Sequence, residues 1–127
     1  MIKETVICIA IVIVIFGLDM FTQNFTKKTV EDVTLLFANL KNDILNEDEK
    51  QIDNSINKID EKWGIVHDKL AYYIEHDELE KVDTAIVTMK AFIETEEISS
   101  AVAELDEGRF VLEHIQEKYA FNLKNVF

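Results

Sequence analysis

Gln51 to Tyr73 reads QIDNSINKIDEKWGIVHDKLAYY. Its apolar residues Ile52, Ile56, Ile59, Trp63, Val66, Leu70 and Tyr73 step by four and three in alternation, with Asp, Glu, Lys and Asn between them. That period keeps one face of an α-helix apolar for about six turns and leaves the opposite face charged. The segments on either side repeat it. Val30, Val33, Phe37, Leu40 and Ile44 step by three and four before it, and Leu79, Val82, Ile86, Met89 and Ile93 do so after it. A last stripe is looser: Ile98, Val102, Leu105, Leu112 and Ile115, with Gly108 and Arg109 where an apolar residue is due. Glycine in a helix interior costs about 1 kcal/mol against alanine, so Gly108 marks either a close helix contact or a kink.

Start signals separate the stripes. Asn46 before Glu49, and Asp77 before Glu80, have the spacing of an N-cap and its reciprocal carboxylate. Thr95, ahead of Glu96 and Glu97, is a weaker third cap. No proline occurs, and the only glycines are Gly17, Gly64 and Gly108, so long helices with short connections are what this chain builds readily. The spacing predicts helices over 27–45, 47–75, 78–94 and 97–118. Phe121, Leu123, Val126 and Phe127 make the tail too apolar to stay in water, and it is expected to fold back on the helices. The fold class is therefore all-α, as a closed antiparallel four-helix bundle or two stacked helical hairpins. The bundle is preferred.

The N-terminus is of another kind. Thr5 to Leu18 reads TVICIAIVIVIFGL, apolar and uncharged, and extending it to Val6–Phe25 admits one charge, Asp19. A membrane-crossing helix needs about 20 apolar residues, and Asp19 falls near one end, where a carboxylate is cheaper to place. A cleaved signal peptide is the alternative, but no small-x-small site follows Leu18. The reading is an uncleaved transmembrane signal anchor over 1–25 and an acidic helical domain over 26–127, on the cytoplasmic membrane. Lys27 and Lys28 favour a cytoplasmic domain on the positive-inside count; the very short N-terminal tail favours export, and the extracytoplasmic side is preferred. Between anchor and domain, Asn24, Thr26 and Thr29 are weak helix formers that permit a bend, while the lack of proline permits a continuous rod.

The chain carries 13 basic and 25 acidic residues, a formal net charge of −12. Setting Lys3, Glu4 and Asp19 aside, the whole excess lies from Thr26 onward. Such a surface repels nucleic acid and anionic headgroups. The expected contacts are thus a lipid bilayer through the N-terminal helix, and a membrane-protein partner or a second copy through the domain. Cys8, inside the apolar run, is the only cysteine, so no intramolecular disulfide forms.

Around Trp63, His76-Asp77-Glu78, and Leu112-Glu113-His114-Ile115 leading to Asn122-Leu123, the chain resembles a known family. The family consists of short membrane-anchored proteins from spore-forming Gram-positive bacteria, known only as a domain of unknown function. The closing Asn125-Val126-Phe127 fits the same pattern. The resemblance implies a bacterial cytoplasmic-membrane location, and work beside a larger membrane protein. It implies no activity, cofactor or catalytic residue.

The residues themselves offer few chemical sites. His67, His76 and His114, with Asp77, Glu80 and Glu113, are the candidate metal ligands, since imidazole and carboxylate together suit zinc, manganese or iron. Di-iron bundles use Glu-x-x-His pairs, yet Gly64, Tyr73 and Val111 stand three residues before these histidines. No metal and no cofactor are therefore expected; His76 is read as closing a helix end and His114 as partly buried. Ser99 and Ser100 have no base nearby in sequence, and Glu47-Asp48-Glu49 lacks the glycine-bearing loop of a calcium site. Interaction candidates are Trp63, which the stripe places in the core or at a partner; Tyr72, since only one of the Tyr72–Tyr73 pair can face inward; and Phe127. The function expected is a non-enzymatic, membrane-anchored interaction protein, an accessory subunit or scaffold. The alternatives are a small-ligand or pH-sensing helical domain and a metal-binding bundle.

Overall fold

The computed structural model describes the backbone of residues 1–126 and the side chains of 1–119. It contains four helices: α1 (Ile2–Leu45), α2 (Glu49–Leu70), α3 (His76–Glu94) and α4 (Ile98–Val126). The apolar N-terminal run and the first soluble helix form one helix of 44 residues, about 66 Å long at helical rise. Residues 1–18 of α1 are all exposed, and burial starts at Thr26. The bundle is thus built on the second half of α1.

The helices run up-down-up-down. α1 packs against α2 and α4, and α3 packs against α4. Side chains fix the antiparallel registers: Lys62 reaches Asp32 across α1–α2, Lys41 reaches Asp106 across α1–α4, and Lys118 reaches Glu78 across α3–α4. The fourth seam, α2–α3, differs. Its backbones stay farther apart, and side chains bridge the gap: Asp60 to Lys90 at 2.5 Å, and Trp63 and His67 to Asp83. The closed bundle, not a pair of stacked hairpins, is the arrangement.

The core is the set of periodic stripes. Val30, Val33, Phe37, Leu40 and Ile44 are all buried, as are Leu79, Val82, Ile86 and Met89. On α4 the buried face is Ala101, Leu105, Gly108, Leu112 and Ile115, an unbroken four-three register. Gly108 resolves as a close contact: a Cβ there would lie 2.8 Å from Phe37 Cε2 and 3.3 Å from Ala85 Cβ. Three helices meet at that point because one residue has no side chain.

Helix ends depart from the sequence reading. α2 stops at Leu70, five residues short of the expected end, and Tyr73 lies in the connection to α3. The cap of α2 is Asp48, which accepts from the Gln51 amide, and not Asn46. The cap position of α3 is Glu75, with no side-chain hydrogen bond, and not Asp77. Thr95 closes α3 instead of opening α4; its hydroxyl donates to the Ala91 and Phe92 carbonyls. α1 and α3 end in the same backbone motif. The amides of Glu47 and Asp48 bond the carbonyls of Ile44 and Asp43, and those of Glu96 and Glu97 bond Ile93 and Phe92. This is the Schellman arrangement, whose turning residue takes the left-handed conformation usually given to glycine. Here glutamates do it, Glu47 at φ 55° and Glu96 at φ 60°. α4 runs on to Val126, eight residues past the expected end, so the backbone expected to form a separate tail is helix; the side chains of Phe121, Leu123 and Val126, and Phe127 itself, lie outside the described residues.

Candidate functional site

Each sequence-named residue but Phe127 has a definite place. Trp63 is 6% exposed and stands on the α2–α3 seam. Its indole N–H donates to Asp83 Oδ1 at 2.6 Å, and its ring meets His67 edge-on. His67 Nε2 lies 3.3 Å from the other Asp83 oxygen, so one carboxylate joins the indole and the imidazole. His76 opens α3 and does not close a helix end as expected, since α2 has already stopped at Leu70; it is largely exposed, with Glu80 at 3.9 Å. His114 is exposed on α4, not partly buried as expected, because the core register runs through Leu112 and Ile115 on either side of it. Among the described residues, no three His, Cys, Asp or Glu side chains are placed to hold a metal ion. Tyr72 is 90% exposed while Tyr73 turns inward. Phe127 lies outside the described residues.

The end of the bundle nearest the apolar extension is tied by hydroxyls. The Thr26 hydroxyl donates to the Thr22 carbonyl at 2.6 Å, so the Tyr73 phenol, 2.6 Å away, donates to Thr26 Oγ1. Burial pushes the Tyr73 pKa up; once the phenol ionises, the Thr26 hydroxyl can turn to donate to it, which offsets part of that. Tyr73 meets Tyr119 edge-on, and Tyr119 accepts the Glu75 amide at 2.9 Å. Lys118 lies 3.7 Å from Glu75 and 3.6 Å from Glu78. Desolvation lowers its pKa, but these two carboxylates and Tyr119 outweigh that and hold it above the ordinary value. The sequence reading missed this cluster, since its partners sit on different helices and share no spacing.

Two concave regions lie beyond it, and the first shares Glu75 and Glu78 with it. The first, about 690 Å³, runs between α3 and α4 and is rich in carboxylates, among them Glu75, Glu80, Glu104 and Glu107. Buried Glu78 lines it too, with Oε1 near Lys81 and Lys118 and Oε2 without a hydrogen bond. The second, about 630 Å³, lies at the opposite end from the extension, between the α1–α2 and α3–α4 turns. Ile44, Leu45, Ile52, Ile93 and Ile98 supply its apolar wall. Glu47, Glu49, Asp53 and Glu96 supply its charge, and no lysine or arginine lines it. Leu45 is 62% and Ile98 41% exposed. The sequence signals for this groove were present: two apolar residues at the ends of neighbouring stripes, each beside acidic turn residues.

No curated protein and no solved structure matches the chain. Residues 20–126 match a family profile, beginning where the uncharged apolar run has ended, and the chain belongs to the family described as "Domain of unknown function (DUF4363)".

Proposed function

We propose that the protein is a single-pass membrane protein whose acidic bundle acts without catalysis, as a docking subunit for a membrane-protein partner. The observation that carries this is the first half of α1. An 18-residue window there has a mean hydropathy of 2.5, and none of it is buried in the fold. Burying apolar surface is worth about 25 cal/mol per Å², so side chains such as Val6, Ile7, Ile9, Ile13 and Leu18 are stabilised in a bilayer and not in water. With Asp19 and Gln23 bonded to each other at 3.0 Å, the polar residues begin together at one end of that window. The resemblance to bacterial membrane-anchored proteins supports the cytoplasmic membrane. The net charge of −12 leaves nucleic acid a poor partner.

The test has two parts. Membranes holding the tagged full-length chain are washed with alkaline carbonate, and the chain is expected to stay in the pellet at its full mass. A released chain lacking the first residues would mean a cleaved signal. The chain is then purified from native membranes in mild detergent. One membrane protein at near-equal stoichiometry is expected, and recovery of this chain alone would overturn the accessory role.

A further inference from the structure

The geometry points to the groove at the far end of the bundle as a docking site for a basic amphipathic segment of another protein. This deepens the docking role proposed above and rests on it. Two features specify the occupant together. The wall is apolar and open: Leu45 and Ile98 stay 62% and 41% exposed at the mouth, while Ile44 and Ile52 are buried behind them. Apolar side chains grouped and rimmed by polar ones mark interaction sites more than scattered ones do. The rim is of one sign. Glu47, Glu49, Asp53 and Glu96 line the same groove with no cation among its lining residues, and carboxylates beside a low-dielectric wall concentrate their field in the cleft.

Charge complementarity then chooses between occupants. A second copy would bring the same four carboxylates to face these, a like-charge juxtaposition that disfavours association. An anionic lipid surface is repelled, and the groove also stands about 30 Å up α1 from Thr26. A helix with apolar residues on one side and lysine or arginine along its edges satisfies both features. This is the helix-in-groove mode of recognition.

The probe is a fluorescent amphipathic peptide of leucine and lysine, titrated by anisotropy against the full-length chain in zwitterionic nanodiscs, with empty discs as the blank. Saturable one-to-one binding is expected. Leu45→Ser with Ile98→Ser, and separately Glu49→Gln with Asp53→Asn, should each weaken it by about tenfold. All four positions are exposed, so the bundle survives these changes. Glu104→Gln with Glu107→Gln removes the same charge from the α3–α4 groove and should leave binding within about twofold. Equal loss from both charge pairs would mean that the peptide follows net charge alone, and the site would fall. A lysine–serine peptide of equal charge binding as well would overturn it too. Incorporation into discs is scored separately by co-elution, so a failed anchor and a failed groove give different results.

Discussion

Gly108 shows how much can rest on an absent atom. Alanine would favour the helix by about 1 kcal/mol, but its Cβ would press on the Phe37 ring at 2.8 Å and on Ala85 at 3.3 Å. Overpacking a core costs about 1–3 kcal/mol, so Gly108→Ala is expected to lose about 1 kcal/mol net in chemical denaturation. Phe37→Leu in the same chain should recover part of it, by making room. A stabilising Gly108→Ala would show that the ring yields freely and the contact is unimportant. The sequence marked this residue as a break in the stripe without deciding between contact and kink. Period alone locates a position on a face; it does not say what lies across from it. Ala101 escaped notice for the same reason, since a methyl group adds little to an apolar pattern. Tyr73 misled in the other direction. It sits one step further along the α2 stripe, yet it is placed by its phenol's bond to Thr26 after the helix has ended.

Among the elements, α1 was left open between a bent pair and a continuous rod, and it is one helix. Its stripe from Val30 to Ile44 was legible because every member is large and buried. Continuity was not, since Asn24, Thr26 and Thr29 have weak intrinsic preference for a helix. One tertiary bond holds the junction, from Tyr73 to Thr26, while Thr22 and Thr26 return their hydroxyls to carbonyls of the same helix. Spin labels on Cys8, the native exposed cysteine, and on an Ile65→Cys variant are therefore expected to give one narrow distance distribution. Asn24→Pro removes a helical hydrogen bond at a cost of about 3 kcal/mol and should broaden it. A broad distribution in the parent chain would make the junction a hinge. The caps of α2 and α3 were each misplaced by two residues for a related reason. Asn-x-x-Glu spacing is real at 46–49, but the chain needs Asn46 to end α1 before Asp48 can start α2.

At the scale of the molecule, stripes of one period could not separate a closed bundle from stacked hairpins, because both bury the same faces. Contacts between α1 and α4, far apart in sequence, close the bundle. The end where Tyr73 and Lys118 sit gives it a pH dependence. Both pKa values are raised, so the folded state holds these protons more tightly than the unfolded chain. Their contribution is complete below about pH 10 and is lost as pH rises through the folded values. Denaturation midpoints should be level through neutral pH and fall in alkali, and Tyr73→Phe should lessen the fall. If all three tyrosines ionise together near pH 10 by absorbance at 295 nm, the Tyr73 environment is not as described. The wide α2–α3 seam has a further consequence. Three edges of this bundle are sewn by close backbones, and the fourth is fastened by clasps: Asp60 to Lys90, and Asp83 to Trp63 and His67. Partial opening follows the weakest boundary, so the molecule opens like a book with its spine along α1–α4, and the sole tryptophan lies on the page edge, where its fluorescence reports the first parting of the leaves.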